Sequence, residues 1–579
     1  MKPNAVLSAD DGDPNTHNGE IDLTAGETLT VRSDAFGGYE VHLHAGGDVY
    51  LQASLDSGHL VDVQAGLGPT GVGSIITDIN TDIATSGSEI HFKAGPNGGN
   101  LELTDAQIYT AGPIELSAPA GSLVHTGGRI IADSLSATVR DGITAHLDVR
   151  TIDATITGAG NLNLLTEGNV TLQSVTVTNG QVDVQGFGDV VAVNVKTLGG
   201  DGSITIGSYA GNLLLGTIQA AGGFTAEANV GEISGLPGGS IGATETQFQG
   251  QMTDNLNVVS DDITLISQFP GDVVINHPST RPLTLRQVYV LDGSLIVHTL
   301  GDLIVMDAQL LTNNGEHHVE LNAGGDVIVS NLIAGDYAAT PVEADVLRAV
   351  RQLPADAPIR TLNDVTIVAG GAIREDATGD DAVDIVAKRL KLQAGGSISG
   401  IEIAANELPE VKSTGGSVTL VERDGVGETS LGLQVLKASA PAGGVTIAAA
   451  GSMLVTSVNA GAGGIKLQAQ GGSLAVLDGE DVAVGLTSGG GIELSGGDLL
   501  LDGPLTASGT IAVVAGGELK AQSSNLVLTA ANVSLDAQSA ISLVGGVKAN
   551  GNVSIISHAG DVIMSADIEA KPGGALAQV

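Results

Sequence analysis

The chain has no cysteine and no tryptophan in 579 residues. Without cysteine it can form no disulfide, thiolate metal site or cysteine nucleophile. Its absence from so long a chain leans towards an exported bacterial protein. The remaining aromatics are six Tyr and six Phe, too few to core a string of immunoglobulin-like sandwiches or a propeller. Positive charge is scarce. Lys and Arg total 23 against 65 Asp and Glu, for a net charge of −42. That balance excludes an electrostatic grip on nucleic acid or anionic lipid. Apolar runs are short and broken by Gly and Asp, and none approaches the roughly 20 residues of a membrane-spanning helix. Met1-Lys2-Pro3-Asn4 leads into Asp10-Asp11-Gly12-Asp13 with no apolar h-region. No signal peptide is therefore expected, and the chain reads as an internal fragment of a longer protein.

What the chain has in quantity is glycine and small apolar residues. Gly numbers 84, about twice average usage. Hydrophobic residues reach 42 % and mean hydropathy is +0.25, too apolar for a disordered chain. A phrase recurs: Gly, then Asp, Asn or Ser, then Val, Leu or Ile. It stands at Gly47-Asp48-Val49, Gly99-Asn100-Leu101, Gly121-Ser122-Leu123, Gly168-Asn169-Val170 and Gly188-Asp189-Val190. It returns at Gly301-Asp302-Leu303, Gly325-Asp326-Val327, Gly472-Ser473-Leu474, Gly497-Asp498-Leu499 and Gly551-Asn552-Val553. Several neighbouring copies lie roughly 20 to 25 residues apart and others are nearer or farther, the signature of a degenerate stacked repeat.

After each phrase the period is two. Val49, Leu51 and Ala53 share one face, with Tyr50 and Gln52 on the other. Val319 and Leu321 oppose His318, Glu320 and Asn322. Such alternation marks short strands with one buried face. The Gly with its polar neighbour is expected to supply a positive-φ corner and a local side-chain cap. Short strands turned every few residues describe the coil of a parallel β-helix. The fold expected is all-β, a right-handed parallel β-helix of roughly 20–25 residues per rung. At about 4.8 Å per rung, about 25 rungs would make a rod of about 120 Å. The narrow coil favours Val, Ile, Leu and Ala and has little room for Phe. Val49, Leu51, Val170, Leu172, Val327, Val329, Leu474 and Val476 are expected to point inward.

One segment departs from the pattern. Thr340 as N-cap, Pro341 at the first position and Glu343 complete a helix start. Val342, Val346, Ala349, Val350 and Leu353 then form one stripe. A short helix is expected here, lying on the outside of the coil over an apolar stripe. The organisation expected is a polar N-terminal tail or partial cap at 1–18, β-helix at 19–335, helical insertion at 336–361, β-helix again at 362–570, and a tail at 571–579.

The Gly-Gly-Asp phrases Ala45-Gly46-Gly47-Asp48-Val49-Tyr50-Leu51, Ala323-Gly324-Gly325-Asp326-Val327-Ile328-Val329 and Ser495-Gly496-Gly497-Asp498-Leu499-Leu500-Leu501 resemble the repeats of filamentous-haemagglutinin-type bacterial exoproteins. The likeness spans roughly residues 19–335 and 362–570. The resemblance implies an exported, elongated structural or adhesive segment on the bacterial cell surface. Its partners would be a protein or glycan on a cell surface, or other copies of itself end to end. The C-terminal stretch Ser554–Ser557 and Val562–Met564 is the expected edge for that self-pairing. The family's secretion domain, with its Asn-Pro-rich motif, is missing. Two alternatives stand beside this reading: a glycan-active β-helix enzyme, and a self-assembling fibre or surface-layer building block.

No His-Glu-x-x-His, phosphate-binding loop or nucleophile elbow occurs, so no catalytic residue and no cofactor is assigned. Four clusters remain as metal candidates. His42 and His44, two apart on one strand, share a face and could hold an ion. His317 and His318 are adjacent and point to opposite faces. Asp10-Asp11-Gly12-Asp13-Pro14-Asn15 and Glu375-Asp376 with Asp380, Asp381 and Asp384 are acidic loops, at most weak Ca²⁺ binders.

Overall fold

The computed structural model describes residues 7–8, 19–252, 256–311, 317–335, 362–376, 382–423, 432–477, 485–565 and 567–571. They belong to two units, Met1–Asn276 and His277–Val579. Each is a parallel β-solenoid, with about 24 turns in total against the roughly 25 expected. Strands hold 65 % of the described residues, and no helix occurs among them.

In the first unit three strands make a rung. Leu29–Val31, Ala35–Gly37 and Glu40–Ala45 form three sides in succession. Val49–Leu51, Leu55–Ser57 and Leu60–Gln64 repeat them, each in parallel register with its counterpart. Ile75–Thr77, Asp82–Thr85 and Glu89–Lys93 form the next turn. Further along, one long strand, Arg129–Val139, covers two sides: Ile130 pairs with Ile108 and Leu135 with Ile114.

The second unit is built the same way. Leu295–Thr299, His318–Ala323 and Asp364–Ala369 stack along one side. Leu303–Val305, Val327–Val329 and Ile373–Glu375 stack along another. Thr510–Ala515, Asn532–Ala537 and Val553–Ser557 form a later side. Among the described residues the one antiparallel contact is the isolated bridge Gly335–Leu362. The expected helical insertion, 336–361, lies outside the described residues, as do most of 1–18 and residues 572–579.

The alternation read from sequence is what fills the coil. All eight expected inward residues are buried, none above 2 % exposure. Because register is strict, like stacks on like: Val41, Val61, Ile90 and Ile114 form one inner column. Each such side chain contributes roughly 1.5–3 kcal/mol by leaving water. Two expectations need correction. Ala53 is only half-buried, because its strand ends at Leu51 and the chain turns. Phe is also not too wide: Phe92, Phe224 and Phe248 are fully buried. Phe248 lies across from Ala226, so a small neighbour makes room for the ring.

The repeating Gly-Asx phrase works differently from a local turn cap. Among the phrase glycines named above, only Gly99 has a positive φ, at 148°. The polar side chain instead reaches to the next rung. Asp302 Oδ1 accepts the N–H of Asp326 at 2.8 Å, and Asp326 Oδ1 accepts that of Ala372 at 2.8 Å. Asn169 does the same for Asp189, Asp189 for Asn212, and Asn212 for Glu232, at 2.7–3.0 Å. The following rung's glycine sits against that oxygen. A Cβ at Gly188, Gly325, Gly371 or Gly517 would stand closer than 3.0 Å to the Asx Oδ1 below it. Gly and Asx are therefore two halves of one inter-rung joint.

Candidate functional site

The His42–His44 pair lies where sequence spacing places it. Strand Glu40–Ala45 turns Val41, Leu43 and Ala45 inward and leaves both imidazoles half-buried on the outer face. The structure adds a residue that spacing could not reveal. Asp62, on the next rung, is in register with His42. His44 Nε2 is 3.1 Å from Asp62 Oδ2, and His42 Nδ1 is 3.7 Å from the same oxygen. One ligand atom from each of the three lies within 4.8 Å of the others. Asp62 is 8 % exposed, and its second oxygen, Oδ1, is buried with no hydrogen-bond partner. Gln64 Nε2 donates to Oδ2 at 2.8 Å.

The other nitrogen of His42, Nε2, is 2.8 Å from Glu40 Oε2 and 3.8 Å from Glu20 Oε1. Burial disfavours the charged ring, but the Glu40 hydrogen bond and the charges of Glu40, Asp62 and Glu20 outweigh it. The imidazole is thus held above its usual range. The residues belong to a column that alternates acid and imidazole over five rungs: Asp22, His42, Asp62, His91 and Glu115.

The acidic candidate of the second unit is rearranged relative to expectation. Glu375 and Asp384 come together, joined by Glu402 of strand Ile398–Leu408, within 4.8 Å. Asp376 turns away and accepts from Ser330 Oγ at 2.8 Å. Asp380 and Asp381 lie outside the described residues. Asp384 and Glu402 are buried, and Asp384 Oδ2 accepts the Glu402 N–H at 2.8 Å. Burial first, then the neighbouring charges of Glu375 and Glu402, push the Asp384 carboxyl up to about 8. It therefore holds a proton at neutral pH beside Glu402. Arg423 completes the group, 3.0 Å from Glu402 Oε1.

Sequence reasoning missed Glu402 because alternation fails there. Ile401 to Ala405 are all buried in succession. Their outer side is covered: Ala404 and Val386 pack with Leu362, Ile333 and Val383 in a second small apolar cluster. The one available signal was a lone acid inside the apolar run Ile401-Glu402-Ile403-Ala404-Ala405.

The remaining candidates do not assemble. His317 Nε2 meets Asp292 Oδ1 at 2.8 Å, while His318 Nδ1 meets Ser294 Oγ at 3.3 Å. The adjacent rings thus take separate partners. The Asp10–Asn15 run lies outside the described residues. Aromatic rings stack between rungs on the outer surface, Tyr39 on His59 at 4.8 Å and Phe187 on Tyr209 at 5.3 Å.

Searches against protein-family models, curated proteins and solved structures returned no match.

Proposed function

We propose that the chain is a structural or adhesive segment of a large exported bacterial surface protein of the filamentous-haemagglutinin type. The observation that carries this reading is the inter-rung joint. Each unit invests its most repeated motif in locking one rung to the next, through Asx oxygens that accept backbone N–H groups across rungs. A protein selected for mechanical continuity needs that reinforcement along its whole length. Contact surface is supplied by the outer faces. Phe187 and Tyr209 are 48 % and 46 % exposed and stacked on adjacent turns, an apolar platform suited to a sugar ring or a partner's side chain.

The rival enzymatic reading would draw on the paired carboxylates of Asp384 and Glu402, where the raised pKa of Asp384 suits a general acid. Both are buried, and Glu402 is engaged by Arg423, which favours a structural use. The test is incubation with acidic and neutral polysaccharides, analysed for products and for retained protein. The expected outcome is retention on some surface ligand, weakened by Phe187→Ala with Tyr209→Ala, and no product. Release of shortened or unsaturated sugars would replace the structural reading with the enzymatic one.

A further inference from the structure

We infer that His42, His44 and Asp62 form a binding site for a divalent transition-metal ion of the Zn²⁺ class on the outer face of the first unit.

The donor set comes first. Two imidazoles and a carboxylate are a nitrogen-rich set, suited to Zn²⁺ and its neighbours and poorly suited to the hard ions Ca²⁺ and Mg²⁺. Spacing agrees. Zn²⁺ bonds of about 2.0–2.2 Å in a tetrahedron put neighbouring ligand atoms roughly 3.4 Å apart. Asp62 Oδ2 lies 3.1 Å from His44 Nε2 and 3.7 Å from His42 Nδ1. Small rotations of the two rings would bring all three donors onto one ion.

Two independent features point to a ligand. The first is the outer support of His42. Its Nε2 is 2.8 Å from Glu40 Oε2, so Nε2–H donates to that carboxylate and, in the neutral ring, Nδ1 presents its lone pair on the side of Asp62. A carboxylate on the far nitrogen is the usual support of a metal-bound histidine, fixing tautomer and ring orientation. Glu20, 3.8 Å from the same nitrogen, adds negative charge behind it. The second is Asp62 itself. As a residue it is 8 % exposed, and one of its carboxylate oxygens, Oδ1, is buried and meets no donor. A buried acceptor left unmade carries a free-energy cost, and a cation held by both oxygens of Asp62 beside the two imidazoles would remove it.

The fold explains how the site is built. His42 and His44 are two apart on one strand, so both face outward. Strict parallel register then sets Asp62 beside His42 one rung on. The backbone ladders hold both strands, so the donors are brought together before any ion arrives. Three protein donors leave the fourth position of a tetrahedral ion to water or to a donor from a bound partner.

Calorimetric titration of the full chain with Zn²⁺ alone, in a non-chelating buffer, tests the assignment. One saturable site is expected, with affinity at least tenfold weaker in His44→Ala and in Asp62→Asn. His558→Ala is the control. It removes an imidazole paired with a single acid, Asp536, at 3.0 Å in the second unit, and should leave the affinity within twofold. His44→Gln, checked by circular dichroism, separates loss of a ligand from loss of fold. Co²⁺ should give the intense visible bands of tetrahedral coordination in the parent chain and lose them in His44→Gln. A large excess of Ca²⁺ should not displace Zn²⁺. Absence of saturable binding, unchanged affinity in both site variants, or equal displacement by Ca²⁺ would overturn the inference.

Discussion

At the scale of single residues the solenoid depends on a contrast between neighbours that look alike in composition. Val329 is fully buried, whereas Ile328 is half-exposed on the outer side of the same strand. An unpaired charge at the inner position costs several kcal/mol. Val329→Asp should therefore lower the melting temperature sharply, and Ile328→Asp should have a much smaller effect. Equal losses in thermal unfolding would contradict the alternation. The Gly-Asx joint allows a finer test. Asp498 Oδ1 accepts the Glu518 N–H at 2.8 Å. A Cβ on Gly517 would collide with that same oxygen and press on its Cγ, and apart from this carboxyl its nearest neighbour would be Gly497 O at an ordinary 3.6 Å. Gly517→Ala alone should cost about 1–3 kcal/mol, within the range for overpacking. Asp498→Ala alone should cost about 1 kcal/mol for the lost hydrogen bond. Together they should cost less than their sum, because removing the oxygen makes room for the methyl. Strict additivity in a double-mutant cycle would refute the joint.

At the scale of strands, what could be read in advance divides along a physical line. The period-two pattern was legible because one face of each strand meets the core and the other meets water. That is why Val49, Leu51, Val170 and Leu172 were placed correctly. The glycine phrase was legible as a repeat but not as a joint, since its partner lies one rung away and rung length varies. The same reason hid Asp62 from the His42–His44 pair. Where a strand is covered on both faces, alternation disappears, and Glu402 went unseen.

The buried pair that results has a pH consequence. The folded Asp384 titrates at about 8, above its ordinary 3.8. Between those values the folded state binds the extra proton, so its stability falls as pH rises through that window. The contribution is fully present below about 4 and is lost by the time pH passes about 8. Asp384→Asn keeps an oxygen for the Glu402 N–H and cannot ionise. Denaturant unfolding across pH 4–8 should show a shallower decline for Asp384→Asn than for the parent chain. An identical slope in the two proteins would mean that Asp384 is not the group responsible.

At the scale of the whole molecule, sequence-distant residues stand in line because each rung adds a fixed rise, whatever its residue count. In the first unit the column running through Asp22, His42, Asp62, His91, Glu115, Ser136 and Asp153 is defined by successive pairings. Chain steps between its members are unequal, but each pairing should add about 4.8 Å. The cysteine-free sequence makes site-directed spin labelling clean. Cysteines replacing Asp22 and, in turn, Glu115, Ser136 or Asp153 would carry the labels, and pulsed electron resonance would read their separations. Four, five and six rungs predict backbone separations of about 19, 24 and 29 Å, a constant increment of about 4.8 Å. Separations that scatter, or increments that follow the number of intervening residues, would contradict the stacked parallel coil on which every other inference rests.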